Sequence, residues 1–465
     1  MSAEHKPEAR ARDLRKTSPL PGKSLARASG LCVACVAGLF GIAFVMWAMS
    51  GEAGLPAGRE RVVFWHFWGG AEREAVRDVV ARFNASQDEY EVEEVPVPGQ
   101  NLDMKFFMAV AGGSYPDLIN QDDQVIAQWA SRGVLTPMRE LCEDEAEYER
   151  LMRWLSPPAK RIGTYEGELF ALCNALDIRA MFYRSDFLAD RPVPQTIEEF
   201  DALAMNRIAD PNRISYLPDD RRLWAWGTAF GGDFVDPISG ETSIDDPEVV
   251  TALEWMRSYA DFHGRDTAVA FRSTARETGA GSMLLDGRYA IVMDGQWRVA
   301  ELDAAAEQAI AAGQMPIRYE VGPLPYPPGG RPRAGWVNGN FFLVPRGARN
   351  PDGAWAFMKF WAGFDNESEA ADTAATGGWI PASRKVIEQP TFQAYLDEHP
   401  KFRLFVELTQ SEAQIPTPAV SVQTFLYERV NRAADEAISG GAAPAEALRR
   451  ADVAVEARLK AGGGL

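Results

Sequence analysis

Residues 165–188, YEGELFALCNALDIRAMFYRSDFL, set two short apolar runs on either side of a polar centre. Runs 169–172 and 180–183 have the length and bulk of buried strands, and Asn174, Asp177 and Arg179 lie between them. A buried carboxylate needs a partner. Where no permanent cation supplies one, the group either shifts its pKa until it is neutral or is held for a ligand, because an unpaired buried charge is strongly unfavourable. Two readings of Asp177 stay open on this stretch alone: a carboxylate facing a ligand, or a residue of a surface turn between two strands.

Outward from this stretch, one arrangement recurs. Residues 62–68, VVFWHFW, read as a strand carrying Trp65 and Trp68; Gly69-Gly70 breaks it, and Val76, Val79, Val80 and Phe83 then repeat at helical spacing. A second strand at 90–97 and a helix near 100–111 lead to Asp117, Gln121, Asp122 and Asp123, just past a short strand, on the side where open α/β sheets bind ligands. Asp122 or Asp123 either caps the helix carrying Ile126 and Trp129 or faces a cleft. Thr196 and Glu199 have capping-box spacing, and Asp246-Pro247 opens another helix. The strand at 287–293 ends in Asp294-Gly295-Gln296-Trp297. Five prolines between 323 and 332 form a semi-rigid linker before the strand at 335–344, and two helices near 420–438 and 444–461 close the chain. Strand, polar turn and helix in alternation predict an α/β fold.

At 465 residues the chain is too long for one ordinary core and predicts two lobes. Its formal net charge is −18, yet the first fifty residues carry seven basic groups against three acids, leaving −22 on the remainder. So acidic a body repels phosphate backbones and argues against nucleic acid as a partner. Residues 31–49 hold no charge and follow a basic flank, which predicts a cytoplasmic N-terminus at 1–30, a signal-anchor or signal-peptide helix at 31–49, a linker at 50–60 and an exported body. Cys32 and Cys35 fall inside the apolar helix and read as packing residues. Cys142 and Cys173 fall in the exported body, where a disulfide is permitted but not required.

His5, His66, His263 and His399 are isolated, and no zinc spacing, calcium loop, P-loop or nucleophile motif is present, so neither a metal nor a cofactor is expected. Tryptophan beside glycine is what concentrates, and all five cases read as turns: Trp68-Gly69, Trp226-Gly227, Gly295-Gln296-Trp297, Gly335-Trp336 and Gly378-Trp379. Sugars stack an apolar C–H face on such rings, and their hydroxyls bond Asp, Asn, Gln and Arg, so rings with carboxylates suit a carbohydrate cleft.

The order of these blocks resembles the extracytoplasmic solute-binding proteins of carbohydrate ABC transporters, the family that includes maltose-binding protein. The resemblance runs from about residue 61 to 461. It rests on FWHFWGG, PDLINQDDQVIAQWASRGVLTPM, GELFALCNALDIRAMFYRSDFL, GRYAIVMDGQWRVAEL, the VGPLPYPPGG linker before GWVNGNFFLVP, NPDGAWAFMKFWAG and the terminal helices. It implies a two-lobed periplasmic-binding-protein-like α/β fold with three hinge crossings, near 173–178, 324–334 and 364–375. Lobe 1 would comprise 61–172 and 335–365, and lobe 2 178–324 and 375–465. It also implies a monomeric, non-enzymatic receptor outside the cytoplasm, which binds a mono- or oligosaccharide between the lobes and hands it to ABC permease subunits. The candidate ligand-binding residues are Trp65, Trp68, Gln121, Asp122, Asp123, Asp177, Trp226, Asp294, Trp297, Trp336, Asn338 and Trp379. The resemblance also brings Phe425 to a position where the maltose binder has tryptophan. The alternatives are the same fold with a non-sugar solute, and an exported polysaccharide-active enzyme working through a carboxylate pair.

Overall fold

The computed structural model describes residues 58–97, 102–236 and 240–462; the apolar segment 31–49, with Cys32 and Cys35, lies outside them. In chain order the strands are β1 (Glu60–His66), β2 (Tyr90–Pro96), β3 (Leu118–Asp122), β4 (Thr164–Tyr165), β5 (Glu168–Leu169), β6 (Leu172–Arg184), β7 (Ile291–Gly295), β8 (Tyr319–Gly322), β9 (Gly335–Leu343) and β10 (Gln414–Ile415). Eight of them share one sheet, in the order β2-β1-β3-β9-β6-β7, with β10 on β9 and β8 on β6. β1 pairs parallel with β2 and β3, whereas β9 runs antiparallel to both β3 and β6.

β6 corrects the expectation of two strands around a polar turn. It is one continuous strand of 13 residues, buried throughout except at Asp177 and Arg184. Its first half pairs with β9, from Leu172 opposite Phe342 to Ile178 opposite Val337. The second half pairs with β7, from Arg179 opposite Gly295 to Tyr183 opposite Ile291, and with β8 on the other edge. Asp177 and Arg179 therefore stand where the strand changes partners, and the surface-turn reading of Asp177 falls. Two residues apart on a strand, they share a face.

Helices cover the sheet, the first where the spacing of Val76, Val79, Val80 and Phe83 predicts one. In Gly70–Ser86, Val76, Val79 and Phe83 are buried, and in Pro351–Ala362, Phe357 and Trp361 pack their rings against Phe64 of β1. Thr196 and Glu199 form the expected capping box, and Pro247 occupies the first turn of Pro247–His263. The structure departs from the sequence reading at Trp226, which sits inside helix Leu223–Phe230 rather than in a turn; all eight residues of that helix are buried. Trp336 likewise lies within β9, not in a turn. Cys142 and Cys173 are both free thiols, so no disulfide joins them. Among the described residues no helix is long and apolar enough to cross a membrane.

Candidate functional site

A cavity of about 920 Å³ opens beyond the ends of β1, β3 and β7, bounded by β6 and β9, with a volume at the upper end of the usual range for ligand pockets. Its floor comes from strand alternation. Trp336, Asn338 and Asn340 recur at every second position of β9 and all line it, beside Asp177 and Arg179 of β6. Asp122 at the end of β3 completes that row, its carboxylate accepting from Asn340 Nδ2 at 2.8 Å. It precedes a short turn of 3₁₀-helix without capping it, so the cleft-facing alternative holds for Asp122.

Asp177 accepts a hydrogen bond from Gln296 Nε2 at 2.8 Å, and Gln296 also donates to the Leu176 carbonyl at 3.1 Å. Gln296 thus locks the β7 turn to β6 and places Trp297 at the cavity wall. Two glycines explain why tryptophan follows glycine here. A methyl group on Gly295 would lie 2.1 Å from Cζ3 of Trp297, and one on Gly377 would lie 2.3 Å from Cδ2 of Trp379. Each ring rests on bare backbone that only glycine provides.

Of the predicted site residues, Trp68, Asp122, Asp177, Asp294, Trp297, Trp336, Asn338 and Trp379 line the cavity. Trp68, Trp336 and Trp379 are nearly buried and offer it little more than an edge, whereas Trp297, Phe67 and Tyr427 are partly exposed. Asp294 is engaged internally, accepting from the Gly295 amide and pairing with Arg298 at 3.0 Å. The other four do not reach the cavity. Trp226 is fully buried and donates its indole N–H to the Tyr216 hydroxyl at 3.1 Å, while Trp65 packs against the core. Gln121 donates to Asp103 at 2.8 Å and accepts from the Asp122 amide, and Asp123 lies buried below the floor near the Gly339 amide.

Sequence reasoning missed Glu72, Asn340, Tyr427 and several arginines, all of which line the cavity. Asn340 was within reach of the alternation of β9, and Glu72 of its place in the first turn of the helix after β1. Phe425 does not line the cavity; its ring lies under Arg429 and Arg458, and Tyr427 two residues later takes the place at the wall, 6.1 Å from the Trp336 ring.

Burial dominates the electrostatics of this site. It raises Asp177, against the opposing pull of Arg179 and the Gln296 hydrogen bond. It also pushes Asp122 up to about 7, helped by the charge of Asp177; Glu72 remains exposed at the cavity rim, and the protein around its carboxyl, with the charges of Asp177, Glu301 and Asp122, raises it. Asp122 is then protonated in the folded chain at pH values where the unfolded chain has lost the proton. Between the ordinary value of 3.8 and about 7, stability falls as pH rises, and the loss is complete above that window. Asp122→Asn, which keeps the oxygen facing Asn340, is expected to stabilise the unliganded protein by about 1–3 kcal/mol at high pH and to gain nothing near pH 4. Urea melts at acidic, neutral and alkaline pH check this; a gain of equal size at every pH would show that charge is not its cause.

Comparison with known proteins places this architecture. Over 340 residues the chain is 25% identical to the maltotriose-binding protein of Pyrococcus abyssi, covering 72% of this chain and 69% of that one. Its fold is similar to that of the GacH receptor of Streptomyces glaucescens, solved unliganded and with acarbose, with a TM-score of 0.72 at 22% identity over 87% of this chain and 99% of that one. The cyclic alpha-maltosyl-1,6-maltose binding protein of Arthrobacter globiformis superposes with a TM-score of 0.67 at 20% identity, over 87% of this chain and 100% of that one. The α/β body with its central cleft is thus the two-lobed fold of these binding proteins. Residues 78–400, more than half of the chain, match the family described as bacterial extracellular solute-binding protein, and the chain belongs to that family.

Proposed function

We propose that the chain is the extracytoplasmic substrate-binding component of an ABC importer, a monomeric, non-enzymatic receptor that takes a mono- or oligosaccharide into the cavity and presents it to permease subunits. The observation that carries this reading is the cavity wall itself. Partly exposed rings of Trp297, Tyr427 and Phe67 stand beside Asp122, Asp177, Asn338 and Asn340, so an apolar sugar face and its hydroxyls both find partners. The relatives named for maltotriose and for a cyclic maltosyl-maltose support the same ligand class.

In this reading residues 61–172 and 335–365 form one lobe and 178–324 and 375–465 the other, joined at 173–178, 324–334 and 364–375. The crossing at 364–375 is packed on the first lobe, because Arg82 of helix Gly70–Ser86 pairs with Glu369 and donates to Thr373 Oγ1 at 2.9 Å. Residues 31–49 export the body or tether it to the cytoplasmic membrane.

A thermal-shift screen of the full chain against mono- and oligosaccharides tests the function. The cognate sugar at a hundredfold excess over its dissociation constant is expected to add about 2.7 kcal/mol of stability. Small-angle scattering of the same sample is expected to show a smaller radius of gyration, because hinge closure removes an open cleft. Stabilisation without compaction would place the binding site outside the cleft and end this reading.

A further inference from the structure

Among the described residues five arginines line the cavity: Arg179, Arg221, Arg222, Arg276 and Arg298. Three are matched by carboxylates. Arg221 pairs with Asp219 at 3.1 Å, Arg276 with Asp220 at 2.7 Å and Asp435 at 2.8 Å, and Arg298 with Asp294 at 3.0 Å. Among the described residues neither Arg179 nor Arg222 has a carboxylate within 4 Å, although Asp219 lies near enough to Arg222 for that charge, with Arg221, to hold the Asp219 carboxyl down at about 2. Arg179 is only 6% exposed, and its Nε and Nη1 are buried without any hydrogen-bond acceptor; the Nε of Arg222 is buried without one as well. The Arg179 guanidinium is held in place, its carbon 4.7 Å from the centre of the Trp297 ring and 5.4 Å from that of Trp336.

Burial and the neighbouring positive charge of Arg222 bring Arg179 down to about 10, while Asp177 and Asp294 act on it only from beyond hydrogen-bonding range. Two neighbouring cations, one of them nearly buried, repel each other at this side of the cavity unless an anion lies beside them. A sugar hydroxyl bonded to a guanidinium edge that faces the cavity would leave the Arg179 charge without a counter-ion; a carboxylate both accepts there and supplies the charge, and it matches the planar guanidinium fork. We propose that this corner of the cavity is a subsite for the carboxylate of an acidic sugar, so that the bound saccharide carries a uronic residue. The inference rests on the carbohydrate reading above and narrows it. A monoanion suits the site better than a phosphate dianion, because Asp122, Asp177, Asp294 and Glu72 line the same cavity.

The test is calorimetric titration of the full chain with short oligogalacturonates and oligomannuronates and, as neutral controls of the same shape, their methyl esters. At least one acid is expected to bind about tenfold tighter than its ester, an advantage that shrinks from about 50 mM to about 500 mM salt. Arg222→Gln should bring the acid-to-ester ratio towards one, and Arg222→Lys should restore part of it. Should the Gln variant melt early, the salt dependence of the acid and the Lys variant carry the test. If neutral mannotriose or maltotriose binds and no uronate outperforms its ester, the subsite is overturned while the sugar receptor stands. If no saccharide binds, acidic or neutral, both readings fall.

Discussion

Trp361→Ala is expected to lower the unfolding free energy by about 3–5 kcal/mol, the usual cost of emptying a large aromatic site in a core. Trp361 lies on helix Pro351–Ala362 and is 2% exposed. Its ring stacks on Trp68 at 5.7 Å with a 6° interplanar angle and on Trp379 at 5.2 Å, and it meets Phe64, Phe342 and Phe357 edge-on. Such contacts add to area burial, so little of the loss can be recovered by local collapse. Because Trp68 and Trp379 line the cavity, the same void lets them turn away from it, and ligand affinity is expected to fall together with stability. Urea unfolding gives the first quantity and calorimetry the second. A stability loss under about 1 kcal/mol would mean that the three stacked tryptophans are not a packed unit.

Asp177→Ala is expected to act in the opposite proportion. The carboxylate stands on β6 where that strand exchanges β9 for β7, faces the cavity and is incompletely compensated, burial having raised its pKa despite Arg179. Removing it relieves that desolvation, and Gln296 keeps its bond to the Leu176 carbonyl, so the unliganded protein should lose little stability. If the carboxylate bonds sugar hydroxyls, binding should weaken by roughly 1.5–3 kcal/mol, the range for hydrogen bonds to a charged group. Parallel titrations and ligand-free melts of the variant separate the two roles. Loss of most of the stability with affinity unchanged would make Asp177 a structural residue and remove it from the site.

Periodicity and local chemistry along the chain determined the strand–turn–helix alternation, the capping box at Thr196, the proline that opens Pro247–His263, and the candidacy of Asp177, of Asp122 and Asp123 alike, and of the tryptophans beside glycine. These depend on residues within a few positions of one another, where backbone propensity and side-chain spacing act directly. Only the tertiary structure decided that β6 is a single strand, because pairing on both edges supplied partners that let its polar centre stay extended. It alone separated Trp226, enclosed by Tyr216, Phe200 and Trp255, from Trp297, which resembles it in sequence but meets a cavity. The same holds for charge. Composition counts arginines and acids, but whether a guanidinium is neutralised depends on which carboxylate lies within a few ångströms. Arg276 finds Asp220 and Asp435 across the fold, while Arg179, just two residues from Asp177, is left without an ion pair among the described residues.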